Sequence, residues 1–167
     1  MRFRPRPAWV AAALLLTAPP AAWAVAQADT SAARFASLDA ERANLRTGPG
    51  ERYPVAWVFK RERLPLAVLG DHGAWRRVRA WDGTTGWMHA GLLSGRRTVQ
   101  VVGDYPRQLR ADPRADGEVV ARLQPNVVGA LGECRPRWCK ATFAELTGWV
   151  RRRHLFGAPP GGGAPAP

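Results

Sequence analysis

A short frame of residues occurs twice in this chain, and the repetition limits what the chain can fold into. Leu45-Arg46 recurs as Leu109-Arg110, Trp75 as Trp138 and Gly86-Trp87 as Gly148-Trp149, at offsets of 64, 63 and 62 residues. Offsets that drift by single residues mean that loops have gained or lost a residue while the frame has kept its place. Such a chain folds as two copies of one small unit. Within the first copy, Val55 to Phe59, Leu64 to Leu69 and Trp75 to Ala80 are rich in branched and aromatic residues and read as strands. Thr47-Gly48-Pro49-Gly50, Lys60 to Arg63, Gly70 to Gly73 and Asp82-Gly83 supply turns between them. In the second copy Val119 to Leu123 and Val127 to Leu131 match the first two strands. Strands this short, at this spacing, predict an all-β chain of two small barrels or sandwiches. No stretch of ten residues carries a convincing helical period.

The ends have a different character. Arg2, Arg4 and Arg6 precede an apolar run from Trp9 to Ala18, then Pro19-Pro20 and a small-residue stretch to Ala28. A positive start, a short apolar middle and Ala-x-Ala endings are the pattern of a cleaved export signal. The competing reading is a membrane anchor, but a run of ten falls short of the roughly 20 residues that span a bilayer. The chain therefore divides into a signal peptide (1–28), a first unit (29–97), a second unit (98–157) and a flexible Gly/Ala/Pro tail (158–167). The expected location is periplasmic or secreted, with no stable transmembrane segment after cleavage. Phe35 and Leu38 are expected on an edge strand, and Thr98 to Val102 on a strand shared or swapped between the copies.

Charge and cysteines narrow the partners. The formal charge is +12, and losing the three arginines of residues 1–28 leaves +9. An arginine-driven binder of an anionic polymer or surface is one reading. Against it, arginine supplies 23 of the 25 basic residues beside abundant Ala, Gly and Pro, a composition that a GC-rich genome produces unaided. Nucleic acid is not the expected partner. In an oxidising compartment Cys134 and Cys139 are expected to pair across a hairpin tip. Their spacing fits neither a redox nor a haem motif, and no second cysteine pair completes a zinc site. No metal or cofactor is expected. His72, His89 and His154 each lie in or beside a turn, without a carboxylate and nucleophile at a recognisable spacing, so no catalytic residue is assigned.

The opening Asn44-Leu45-Arg46-Thr47-Gly48-Pro49-Gly50 and the closing Trp75-x-x-Val78 … Gly86-Trp87-Met88 resemble the bacterial SH3-like domain family. The resemblance covers residues 36–157, and the Cys134 … Trp138-Cys139 variant in the second copy resembles its small exported two-domain members. Copy two departs from the pattern: Asp112-Pro113-Arg114-Ala115-Asp116-Gly117 replaces the Gly-Pro-Gly loop, so that loop need not hold the same ligand. The resemblance implies tandem SH3-like barrels, no cofactor, and a targeting or binding role. Members often bind peptidoglycan or peptides and are frequently fused to a cell-wall hydrolase domain, of which this sequence shows no trace.

The same resemblance places Trp75 and Trp87 where SH3 domains carry groove aromatics. A candidate groove then comprises Trp75, Trp87, His89, Tyr53, Arg77 and Arg79, with Trp138 and Trp149 as counterparts in copy two. Flat rings flanked by guanidinium groups suit an extended peptide, or a glycan-linked peptide with carboxylates. Alternatively these tryptophans pack the barrels together or cover a sheet edge. Register decides. A two-residue turn at Asp82-Gly83 pairs Val78 with Trp87 and turns Trp87 inward, whereas a bulge or three-residue loop pairs Val78 with Met88 and leaves Trp87 outside. The expected function is an exported, non-catalytic tandem SH3-like protein that binds peptidoglycan, a peptide or a partner protein of the cell envelope.

Overall fold

The computed structural model describes residues 34–160. The export signal expected at residues 1–28 lies outside them, as do residues 161–167 of the expected tail. Each copy of the frame builds its own antiparallel sheet. The first holds β1 (Arg34–Leu38), β2 (Ala43–Arg46), β3 (Val55–Phe59), β4 (Pro65–His72), β5 (Trp75–Arg79), β6 (Thr85–His89) and β7 (Leu93–Ser94). The second holds β8 (Thr98–Val101), β9 (Arg107–Arg110), β10 (Val119–Leu123), β11 (Val128–Cys134), β12 (Trp138–Phe143), β13 (Leu146–Arg151) and β14 (Leu155–Phe156). Strand order is β3-β2-β6-β5-β4-β1-β7, and β10-β9-β13-β12-β11-β8-β14 repeats it strand for strand. A single 3-10 turn, Ala90–Leu92 or Arg152–His154, precedes the last strand of each.

Both sheets close on themselves. Leu38 of β1 and Leu45 of β2 meet Leu66, Val78 and Met88 in one buried cluster, although three strands separate β1 from β2 in the sheet order. A flat sheet could not bring them together. Val99, Val101, Leu109, Cys139, Ala141, Phe143, Val150 and Leu155 form a second, separate core. These are two tandem SH3-like barrels, as the repeat and the resemblance imply.

The frame residues explain the repeat. Leu45 and Leu109 fill the two cores, and each lies under a glycine of a neighbouring strand. A Cβ on Gly86 would stand 2.6 Å from Leu45 Cγ and 2.8 Å from the Arg46 carbonyl oxygen. One on Gly148 would stand 2.8 Å from Leu109 Cγ and 2.7 Å from the Arg110 carbonyl oxygen. The following arginines point away from the core and tie down the first loop of each barrel. Arg46 Nη1 donates to the Tyr53 carbonyl at 2.8 Å, and Arg110 Nη1 donates to that of Gly117.

Three expectations need correction. β1 is not an edge strand, because it runs between β4 and β7. Thr98–Val101 is neither shared nor swapped: it pairs with β11 and β14 and opens the second sheet. The β5–β6 connection is a three-residue loop, Trp81-Asp82-Gly83, but it pairs Val78 with Gly86 instead of Met88. Gly83 sits at φ 88° and donates to Ala80 O, while Ala80 donates to Thr84 O. This is a turn followed by a left-handed residue, which glycine adopts without strain. Met88 still points inward and Trp87 outward, because the shift is even.

Cys134 and Cys139 are joined by a disulfide, and Cys139 belongs to the second core. The paired positions in copy one are Asp71 and Arg76, and an ion pair of 3.0 Å stands there. Between the barrels, Ser37 Oγ and Thr98 Oγ1 share a buried hydrogen bond of 2.5 Å, and Phe35 packs edge-on against Phe156 at 5.4 Å. Ala158, the first residue of the expected tail, packs against the second core.

Gly86→Ala and Gly148→Ala are each expected to cost about 1–3 kcal/mol through overpacking. Urea unfolding followed separately in the two barrels by hydrogen exchange measures this; an unmoved midpoint would mean that the leucine yields freely. Reducing the disulfide should remove about 2 kcal/mol. Protection should fall across β8–β14 and stay near its starting level in β1–β7.

Candidate functional site

Alternation along β5 and β6 sorts their side chains. Val78 and Met88 point into the core, so Trp75, Arg77 and Arg79 face outward on β5, as do Thr85, Trp87 and His89 on β6. Register sets Trp75 opposite His89, Arg77 opposite Trp87 and Arg79 opposite Thr85. The Trp75 and His89 rings meet edge to face at 5.6 Å, and Trp87 meets His72 the same way at 6.2 Å. On β2, Leu45 points inward, so Asn44 and Arg46 point out, with Arg46 opposite Trp87.

These placements open a cleft of about 350 Å³ lined by Arg42, Asn44, Arg46, Glu51, Trp75 and His89. Trp75 supplies a flat apolar surface, the arginines supply donors, Glu51 supplies acceptors, and Asn44 supplies both. His89 Nδ1 accepts from the Gly91 backbone N–H at 3.1 Å, which leaves the proton of the neutral ring on Nε2 as a donor. The set can bind a ligand that has an apolar face and a mixed polar edge, such as a sugar ring or a peptide backbone.

The cleft gathers only part of the expected groove. Trp75 and His89 line it. Trp87 is half-buried on the same sheet face but outside the lining, and Arg77 and Arg79 are exposed further along that face. Tyr53 lies within the first loop, against Gly48 and under Arg52, whose guanidinium is 5.5 Å from the ring centre. Arg42, Asn44, Arg46 and Glu51 are the polar lining residues that sequence reasoning passed over. For Asn44 and Arg46 the signal was present, since Leu45 in the core forces its two neighbours outward.

In the second barrel the same positions are closed. Trp138 lies opposite Arg151 and Lys140 opposite Trp149, on the face away from Cys139, Ala141 and Val150. Yet Trp138 and Trp149 are only 8% and 6% exposed. Guanidinium groups cover them: Arg151 stands 4.9 Å from the Trp138 ring centre and Arg135 stands 4.8 Å from that of Trp149. Such stacking contributes roughly 0.5–2 kcal/mol each. Where copy one sets imidazoles edge-on to its tryptophans, copy two lays arginines over them. Beside Trp138 is a cleft of about 440 Å³ that is lined by Pro113, Arg114, Arg135, Arg137 and Arg151.

Among the described residues no three His, Cys, Asp or Glu side chains stand close enough to hold a metal ion. No helix among them is long and apolar enough to cross a membrane.

The model of a family described as "Bacterial SH3 domain" matches residues 39–95 and 106–157. The candidate N-acetylmuramoyl-L-alanine amidase YrvJ of Bacillus subtilis (strain 168) is 26% identical over 137 residues, covering 75% of this chain. The match covers 26% of that relative, so the chain spans about a quarter of its length. Among solved structures, NlpC1 from Trichomonas vaginalis superposes with a TM-score of 0.35 at 12% identity, over 74% of this chain and 45% of its own. An NlpC/P60 family protein from Bacillus cereus ATCC 10987 superposes with a TM-score of 0.33 at 14% identity, over 75% and 57%.

His154 registers the charge of the second barrel. Burial lowers its pKa from 6.5, and the nearby guanidiniums of Arg107, Arg153 and Arg151 lower it further. Its Nε2 accepts from Arg153 Nε at 3.2 Å, so the neutral ring carries its proton on Nδ1. Above pH 6.5 the imidazole is neutral in both the folded and the unfolded chain. Below it the unfolded chain takes up the proton first, so stability falls as the pH drops from 6.5 toward the lowered folded value. His154→Gln should remove that part of the acid sensitivity. Urea midpoints of the second barrel at about pH 7.5 and pH 5 measure it; parallel losses in the parent and the variant would assign the sensitivity to other groups.

Proposed function

The chain belongs to the bacterial SH3 domain family, and from that premise we propose that it is an exported, non-catalytic protein that binds the cell wall through the open cleft of its first barrel. The observation that carries the reading is the outward Trp75–His89 pair, which stands over a cleft whose rim is Asn44, Arg46 and Glu51. A flat ring beside a few convergent polar groups is how proteins hold glycans and extended peptides. Peptidoglycan offers both: sugar rings for Trp75, and stem-peptide amides and carboxylates for Asn44 and the arginines. The relative named as a candidate N-acetylmuramoyl-L-alanine amidase supports a cell-wall substrate class.

Several features support binding without chemistry. The chain has two cysteines, both in the disulfide, so neither is available as a thiolate. His89 is held by the Gly91 N–H and by Trp75, and among the described residues no carboxylate bonds to it to orient it as a base. The disulfide suits an oxidising compartment, in agreement with the export signal read in residues 1–28.

Co-sedimentation with purified bacterial sacculi tests the proposal. Trp75→Ala should weaken retention about tenfold or more, as expected for a central aromatic anchor. Asn44→Ala should weaken it by a smaller factor. Both residues lie outside the core, so hydrogen exchange should confirm an intact fold. Unchanged retention in both variants would remove the cleft from the mechanism, and release of soluble fragments from sacculi by the pure protein would overturn the non-catalytic reading.

A further inference from the structure

We propose that the arginine-lined clefts of the second barrel form a separate site that binds a linear phosphate polymer. Two clefts adjoin there. One, of about 440 Å³, is bordered by Arg114, Arg135 and Trp138; the other, of about 450 Å³, is bordered by Arg152, Arg153 and Pro159. Pro136, Arg137 and Arg151 border both. Arg114 and Arg135 have acidic neighbours, Asp112 at 3.3 Å and Glu133 at 3.7 Å. Among the described residues Arg137, Arg151, Arg152 and Arg153 have no carboxylate partner.

Comparison of the two copies separates this cluster from a general excess of arginine. The matching places in copy one hold His72 for Arg135, Ala74 for Arg137, His89 for Arg151, Ala90 for Arg152 and Gly91 for Arg153. Copy two lacks arginines that copy one carries elsewhere, with Cys139 for Arg76 and Thr142 for Arg79, while the arginines it gains fall together on one face. The cluster is also held in place. Arg151 lies on Trp138 and Arg135 on Trp149, the disulfide closes the hairpin that carries residues 135–137, and Arg152 N donates to Arg137 O at 3.0 Å. The mutual repulsion of these cations is built into the folded state, so an anion that relieves it binds with little reordering.

The ligand's chemistry follows from the donors. Guanidinium forks match phosphate bidentately, and a phosphate offers enough oxygens to accept from more than one fork. Two adjoining clefts suit successive charges on a chain. Single-stranded nucleic acid is disfavoured, because Arg151 and Arg135 already cover the rings on which bases would stack. A flat bilayer would touch only the rim of a concave site.

Titration of the purified protein with sodium polyphosphate provides the test. Binding should weaken with salt along a log–log slope of about −3, as expected when four cations are neutralised by a flexible strand. Arg137→Gln combined with Arg152→Gln should cost about tenfold for each arginine. Lys60→Gln combined with Arg122→Gln removes the same charge from surfaces that line none of these clefts and should cost less than about twofold. In the unmodified protein, NMR should show the His154 midpoint rising on saturation, because the anion offsets the Arg107, Arg151 and Arg153 charges that face it. Equal losses in the two double variants, or an unmoved His154 midpoint, overturn the site. Tighter binding of polyglutamate, of an oligonucleotide, or of phosphatidylglycerol vesicles overturns the ligand class. Trp75→Ala should leave polyphosphate binding intact, so this site and the cell-wall cleft of the first barrel fail independently.

Discussion

The close approach of one strand to another over a glycine is the contact on which both barrels depend. Gly86 and Gly148 leave room for the leucine and the carbonyl of the Leu-Arg strand to press against the sheet. Any Cβ there would push β2 from β6, or β9 from β13. With the leucine seated in the core, strand alternation sends its neighbours outward. Arg46 and Arg110 then reach the loop that precedes the third strand and hold it by a backbone carbonyl. One steric allowance thus fixes the barrel seam, the loop and the outward face of the second strand. This is why Leu-Arg and Gly-Trp survive as the matching parts of two copies that differ almost everywhere else.

Those requirements are local, so the architecture was legible in the sequence. Frame residues, turn glycines and strand-forming runs can be recognised without knowing what they touch. The facing of Trp87 was not legible, because it depends on the parity of a loop. Asp82-Gly83 serves equally as a two-residue turn or as the end of a three-residue loop with a left-handed glycine, and the two put opposite faces inward. Placing β1 in the interior of its sheet needed β7, a two-residue strand too short to leave a periodic signal. The cleft was half legible. Trp75 and His89 are conspicuous residues, whereas Asn44, Arg46 and Glu51 reach it only through the closure of β2 and its loop over β6. The covering of Trp138 and Trp149 was invisible, since it rests on where two arginine side chains fold back.

The second copy shows how a shared scaffold takes on a different surface. Its hairpin tip carries a disulfide where copy one has the Asp71–Arg76 ion pair. That pair is partly solvent-exposed, and such pairs contribute only about 0–1 kcal/mol. The disulfide contributes about 2 kcal/mol by the chain-entropy argument. The stronger staple stands where the charge is concentrated. In water, like charges roughly 8 Å apart repel by about half a kcal/mol per pair. Arg135 and Arg137 sit on the stapled hairpin, and Arg151 to Arg153 lie beside it. A cross-link of this strength offsets about four such pairs.

Tryptophan burial follows from the same exchange. An imidazole edge-on to Trp75 leaves the cleft beside it open, so the ring remains available to a ligand. A guanidinium laid over Trp138 hides the ring and fixes the arginine instead. In the first barrel the aromatic ring is half-buried at the border of the cleft, with the exposed imidazole edge-on beside it. In the second the aromatic group becomes the support, and the charge above it faces solvent. From the His89 pairing of copy one to the Arg151 pairing of copy two, the tryptophan opposite passes from half-buried to buried.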